Sequence, residues 1–398
     1  MKIVIAPNAF KDSLTAWEAA RALEKGVRQA LPHATLVLVP VADGGDGTAE
    51  ALARATGGQM VHARVAGPLG RPVRAVFAVL GGGLGAVIEM AAASGLRLLA
   101  PRERNPMRTS TFGTGQLIRA AVRRGLRRLI IGIGGSATVD GGTGMAAALG
   151  YRFLDARGRE VLPCGGNLKE IARIDAEAYL RWRKSLREPL ELTVASDVTN
   201  PLLGPEGAAR VFGPQKGATP TQVEQLETGL AHLAGVIRRD LGIRVASLRG
   251  SGAAGGLGAG LVAFCGAVIR SGARVVLDAV RLEEKLADAD WVITGEGKLD
   301  GQTAFGKAPA VVARVAKRHR VRVIGVAGSL GPDARRLLRG DFDALFSLCD
   351  HPMDPAEAMR NARPLLEQLA ESIGALLASD AGGNIRGEAL RNESATKT

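Results

Sequence analysis

Short runs of consecutive apolar residues recur along this chain: KIVIAP (Lys2 to Pro7), ATLVLVPV (Ala34 to Val41), AVIEM (Ala86 to Met90), RLIIGIG (Arg128 to Gly134), ELTVAS (Glu191 to Ser196), WVITG (Trp291 to Gly295) and VRVIGVAG (Val321 to Gly328). Each is too short for a helix of normal length, and a strand apolar on both faces must be covered on both faces. Helix-period segments lie between most of them, so the pattern predicts an α/β fold, a parallel sheet sandwiched by helices. The first helix is announced by a capping box, Thr15-Ala16-Trp17-Glu18, and continues through EAARALEKGVRQAL with its apolar residues on one face. At 398 residues the chain has room for two to three such domains.

The charge balance raises a different reading, which the details weaken. Lys plus Arg exceeds Asp plus Glu by 52 to 39, a net charge of +13 that would suit an acidic partner such as nucleic acid. Yet the 41 Arg and 11 Lys are spread along the chain, the densest cluster being RRGLRR from Arg123 to Arg128, and 14 aromatics supply few stacking platforms. We expect no nucleic-acid partner. Cys164, Cys265 and Cys349 are far apart and lack C-x-x-C spacing, which argues against a disulfide framework or a thiolate zinc site and fits a reducing cytoplasm. The apolar run from Ile3 to Phe10 is too short for a signal peptide and reads as a buried first strand. One uncharged run, Gly250 to Ile269, reaches the ~20 residues of a membrane span, but its seven glycines favour a loop leading into a buried helix, and no membrane partner is expected.

In parallel sheets, ligands gather where strand C-termini open into loops and where the next helix presents its positive N-terminus. Three segments placed after strands share one chemistry: ADGGDGT (Ala42 to Thr48), IGGSATVDGGTG (Ile133 to Gly144) and TGEGKLD (Thr294 to Asp300). Glycines let backbone N–H groups approach phosphate oxygens, and hard carboxylates ligate magnesium, which neutralises a polyphosphate. Any one alone could be a tight turn with a capping Asp; three together point to a nucleotide site. They contribute Gly44, Gly45, Gly134, Gly135, Ser136, Gly295, Glu296 and Gly297 as candidate phosphate-binding residues, and Asp43 and Asp46 as candidate metal ligands. Two further polar loops, APNAFKDS (Ala6 to Ser13) and SDVTNPLLG with FGPQKGAT (Ser196 to Thr219), add Asn8, Lys11, Asp197, Asn200 and Lys216. Asp197 is the candidate general base, with Asp300 in reserve, and Lys11 the catalytic cation. Asn8, Asn200 and Lys216 are candidates for holding the substrate.

Two fingerprints compete with this reading. Gly250-Ser-Gly252-Ala-Ala-Gly255 follows a plausible strand, IRVASL, and precedes ARVVLD with Asp278 at its end, as a dinucleotide site of an oxidoreductase would. Gly301 to Lys307 has the G-x4-G-K spacing of a phosphate loop, but Ala308 replaces the hydroxyl residue that holds magnesium. Lys307 stands just before Pro309, near a helix start, where it could still meet a phosphate.

The ordered blocks IAPNAFKDSLTA, PVADGGDGT, VIEMAAASGL, NPMRTSTFGTGQLI, IGIGGSATVDGGTGM, GAARVFGPQKGATP, GSGAAGGLGAG, ITGEGKLDGQTAFGKAP and IGVAG resemble the bacterial class I glycerate kinases from Met1 to about residue 375. Asn8 stands where that family commonly has Asp, and Asp46 where it commonly has Glu. The resemblance implies ATP-dependent phosphorylation of D-glycerate, usually at the 2-hydroxyl, with magnesium. It also implies a flavodoxin-like α/β domain formed from both chain ends, a second α/β domain inserted between them, and an active site in the cleft. The Gly-Pro punctuation of the middle of the chain places the boundaries at residues 1–65 plus 286–380 for the first domain and 66–285 for the insert, with 381–398 as a flexible tail. A homo-oligomer is compatible with all of this.

Overall fold

The computed structural model describes residues 1–395 apart from Lys11, Asp43, Asp46, Leu84, Gln302, Ala304 and Phe305. In chain order its strands are β1 (Lys2–Ile5), β2 (Thr35–Leu38), β3 (Gln59–Ala66), β4 (Pro72–Val79), β5 (Ala86–Glu89), β6 (Arg128–Gly132) and β7 (Arg152–Leu154). They continue with β8 (Arg173–Asp175), β9 (Glu191–Ala195), β10 (Val268–Arg270), β11 (Trp291–Leu299), β12 (Arg322–Leu330) and β13 (Ala344–Ser347). The chain divides into two compact units, one from Met1–Ala42 with Val280–Thr398, the other from Asp43–Ala279.

The first unit is built on one parallel sheet, in the order β13-β12-β11-β1-β2. Counted along the unit's own strands this is 2-1-3-4-5, the doubly wound order of flavodoxin-like folds, with its switch point where β1 meets β11. Ile3, Val4 and Ile5 of β1 have no exposed surface, and full burial of such side chains contributes about 1.5–3 kcal/mol each. Helix Ala16–Ala30 starts at the Thr15 capping box, in which the Thr15 hydroxyl accepts from the Glu18 N–H and the Glu18 carboxylate from the Thr15 N–H. Its buried face, with Ala19, Leu23 and Val27, joins a core with Leu366, Ala370, Ile373 and Leu377 of the last helix, Ala362–Ala395. That helix runs through most of the segment expected to be a flexible tail.

The second unit carries a six-stranded mixed sheet, β10-β9-β6-β5-β4-β3, and a separate antiparallel pair, β7 with β8. From β5 to β10 it is parallel, as the apolar runs predict. The β3–β4 hairpin and the β4–β5 pairing are antiparallel, and the sequence reading missed them. In β3, Val61 and Val65 are buried while His62 and Arg64 face outward, so this edge has one dry face and shows no continuous apolar run. The pairing of β3 with β4 from Gln59 to Ala66 puts β3 in the second unit, and the units divide at Ala42/Asp43 and Ala279/Val280 rather than at 65/66 and 285/286.

Two other expectations change. TGEGKLD is mostly not a loop: β11 continues to Leu299, paired with β12 as far as Leu330. ARVVLD is helical, within Gly272–Ala279, and the IRVASL segment contains no strand. Without a strand leading into it, Gly250–Gly255 is not a dinucleotide fingerprint. Its glycines serve close packing instead: a Cβ at Gly252 would lie 2.1 Å from the Pro201 carbonyl oxygen, and one at Gly255 2.0 Å from that of Thr138. No helix of the described residues is long and apolar enough to cross a membrane.

Candidate active site

In the second unit the C-terminal ends of the parallel strands β6 and β9 receive two glycine turns. Gly44 adopts φ +88, and a Cβ there would lie 2.8 Å from the carbonyl oxygen of Ala195, the last residue of β9. A Cβ at Gly132 would lie 2.8 Å from the Gly44 carbonyl oxygen, and one at Gly134 would lie 3.2 Å from the Gly45 Cα. The two turns thus touch backbone to backbone, a contact that side chains would prevent. Gly135 follows with φ +68, a left-handed conformation of the kind that turns successive N–H groups toward an anion. From one side this turn is tied to the segment after β5: the Leu96 N–H donates to the Gly135 carbonyl at 2.8 Å and the Ala137 N–H to that of Ser94 at 2.9 Å.

Beneath the turn lies Lys216, at the end of a short 3-10 turn Pro214–Lys216 and only 2% exposed. Its Nζ donates to the Ser136 hydroxyl at 2.7 Å and to the Thr138 carbonyl at 2.7 Å. Burial lowers its pKa to about 7, against the opposing pull of the nearby Asp140 carboxylate. Asp140 is itself fully buried, which raises its pKa, while four donors favour its ionised form: the Thr111 N–H (2.7 Å) and hydroxyl (2.8 Å), and the N–H groups of Gly142 (3.1 Å) and Gly144 (3.2 Å). It fastens the start of helix Thr143–Leu149 to Thr111.

Asp197 and Asn200 lie in the segment after β9. The Asp197 carboxylate accepts from the Ser271 hydroxyl at 2.8 Å and from the Gly272 N–H at 3.0 Å, at the start of helix Gly272–Ala279. The Asn200 side chain donates from Nδ2 to the Glu206 carbonyl at 2.8 Å, and its backbone carbonyl accepts the Gly252 N–H at 3.0 Å.

In the first unit Asn8 follows β1 at the switch point. It is 7% exposed, its N–H donates to the Gly295 carbonyl at 2.8 Å, and its Oδ1 accepts from the Ala9 N–H. Gly295 and Gly297 lie within β11, not in a loop. A Cβ at Gly295 would sit 1.8 Å from the Val326 carbonyl oxygen, so this glycine admits β12. Glu296, buried between them, accepts from the Thr303 hydroxyl at 3.4 Å and pairs with Lys307 at 3.4 Å. Lys307 is the N-cap residue of helix Ala308–Arg318, the position expected for it, with Pro309 in the first turn. Asp300 pairs with Lys298 at 3.4 Å.

The structure therefore assembles Gly44, Gly45, Gly134, Gly135, Ser136 and Lys216 in one unit, and Asn8, Glu296 and Lys307 around β1 and β11 in the other. Lys11, Asp43 and Asp46 lie outside the described residues. Among the described residues no three His, Cys, Asp or Glu side chains gather in a way that could hold a metal ion. Two carboxylates escaped the sequence reading. Asp140 stands inside the Ile133–Gly144 glycine loop; Glu89, the last residue of β5, accepts the Ala49 N–H at 2.7 Å and so caps the helix Thr48–Thr56 that follows the Gly44 turn. A carboxylate ending an apolar strand, as at AVIE, was the available signal.

A family model described as the glycerate kinase family matches residues 3–378. The chain is 49% identical over 371 residues to a glycerate kinase of Halalkalibacterium halodurans, covering 93% of this chain and 97% of that protein. It is 47% identical over 378 residues to the glycerate 2-kinase of Escherichia coli, covering 95% and 98% respectively. A crystal structure assigned as glycerate kinase 2 from Salmonella typhimurium superposes with a TM-score of 0.86 at 48% identity, over 96% of this chain and 99% of that one.

Proposed function

This chain belongs to the glycerate kinase family, and we propose that it transfers the γ-phosphoryl group of ATP to the 2-hydroxyl of D-glycerate, giving 2-phospho-D-glycerate and ADP. The observation that carries the reading is the 47% identity to the Escherichia coli glycerate 2-kinase over nearly the whole of both chains. The touching glycine turns and Lys307 at a helix start support it, because phosphoryl transfer asks a protein mainly to position reactants and neutralise charge.

In this reaction the glycerate hydroxyl oxygen bonds to the γ-phosphorus, the bond from that phosphorus to the β,γ-bridging oxygen breaks, and the hydroxyl proton passes to a base. Asp197 is that base and Lys11 the cation that faces the glycerate carboxylate or the migrating phosphoryl group. Gly44, Gly45, Gly134, Gly135 and Ser136 present backbone N–H groups to phosphate oxygens. Glu296 and Lys307 serve the nucleotide, with Gly295 and Gly297 shaping the strand beside them; Asn8 and Asn200 serve glycerate. Magnesium suits the donor chemistry of Asp43 and Asp46, since this ion is usually held by one or two carboxylates and the substrate phosphates. It would supply charge neutralisation for the polyphosphate. We place the enzyme in the cytoplasm, where Cys164, Cys265 and Cys349 stay free as they are here.

Incubation with D-glycerate and MgATP followed by phosphorus NMR tests the reading. A 2-phosphoglycerate resonance is expected; 3-phosphoglycerate would overturn the regiochemistry, and unreacted glycerate the activity.

A further inference from the structure

Among the described residues no lysine other than Lys216 is buried. Desolvating an ammonium is costly, and an apolar side chain of similar length would fill the same space without that cost. The two groups its Nζ meets are neutral, the Ser136 hydroxyl and the Thr138 carbonyl, and both belong to the turn that follows β6. Bonds from Leu96 and Ala137 hold that turn on its other side. The Thr109 hydroxyl donates to the Ala137 carbonyl at 2.9 Å, and Lys216 adds two bonds that tie Ser136 and Thr138 to a side chain lying below the surface.

We propose that Lys216 is a positioning residue for phosphoryl transfer: through Ser136 and Thr138 it holds the Gly134–Thr138 turn in the form that presents N–H groups to the ATP phosphates, without touching glycerate. This replaces the expectation that Lys216 binds the substrate, and it rests on the assignment of that turn to phosphate binding. Its positive form also places charge beneath the bound phosphates, where the surrounding low dielectric preserves the attraction.

The test is a double-mutant cycle with Lys216→Met, Ser136→Ala and the double variant, each assayed for KM and kcat in both substrates. If Lys216 acts through Ser136, each single variant raises KM for MgATP by about tenfold or more and leaves KM for glycerate within about twofold, and the double variant is no worse than the poorer single. A purely structural lysine would lower the active fraction and leave both KM values alone. Additive losses, a rise confined to the glycerate KM, or an unchanged MgATP KM in folded Ser136→Ala would each overturn the proposal. Ser136→Ala keeps the lysine in place, so the question survives even if Lys216→Met does not fold. Should the wild-type enzyme form no phosphoglycerate, the functional reading fails by itself, and calorimetric titration of the same four proteins with MgATP still measures the Lys216–Ser136 coupling.

Discussion

Asp197 accepts a hydrogen bond from the hydroxyl of Ser271, 74 positions later in the chain, at 2.8 Å. That bond and the neighbouring one from the Gly272 N–H tie the segment after β9 to the start of helix Gly272–Ala279, so the proposed base is also a helix cap. The two roles separate by substitution. Asn is as good a cap as Asp but cannot take a proton, whereas loss of a cap to Ala costs about 1 kcal/mol. We expect Asp197→Asn to melt close to wild type with kcat reduced by about 10² or more, and Asp197→Ala to lose stability as well. Normal turnover in folded Asp197→Asn would leave only the cap.

Lys216 carries a signature in the pH dependence of stability. Its pKa is lowered to about 7 by burial, so from there up to its ordinary value near 10.5 the unfolded chain binds more protons than the folded one, and stability rises with pH across that window. Below it both states are protonated and the contribution is constant. Denaturant midpoints from about pH 7 to about pH 10 should therefore climb less steeply in Lys216→Met than in wild type. Parallel profiles would mean that the buried amine titrates normally.

The glycine turns predict a loss of ligand response. Gly44→Ala places a Cβ 2.8 Å from the Ala195 carbonyl at φ +88, and Gly135→Val puts a β-branched residue at φ +68. At a nucleotide concentration of 100 Kd the wild type should gain about 2.7 kcal/mol. Thermal shift with MgATP should show that gain abolished in Gly135→Val; an unaltered shift would remove the turn from the phosphate site.

Lys307 and Glu296 make the corresponding prediction in the first unit. Lys307→Met removes a cation at a helix N-terminus and leaves the buried Glu296 carboxylate without that partner. We expect the MgATP KM to rise by about tenfold, with the glycerate KM little changed. The opposite pattern in steady-state kinetics would assign Lys307 to the acceptor.

Much of this was legible in one dimension. Hydrophobic runs such as KIVIAP and RLIIGIG specify buried parallel strands because only a strand covered on both faces needs to be apolar at every position. The Thr15–Glu18 box and the Lys307-Ala308-Pro309 start are read from adjacent residues because a capping box and a first-turn proline both act locally. The glycine–carboxylate loops and the family blocks likewise declare themselves in contiguous sequence. What tertiary structure decided was whatever depends on residues far apart in the chain. Strand β3 meets the core with one face only and so shows no continuous apolar run, and its antiparallel pairing with β4 is decided by packing. TGEGKL became strand because β12 offered backbone partners along its length, overriding its glycines. The sequence marks Lys216 as a candidate for holding the substrate; only the fold brings it beneath Ser136, 80 positions earlier, since burial and its consequences for charge are properties of packing that no local pattern encodes.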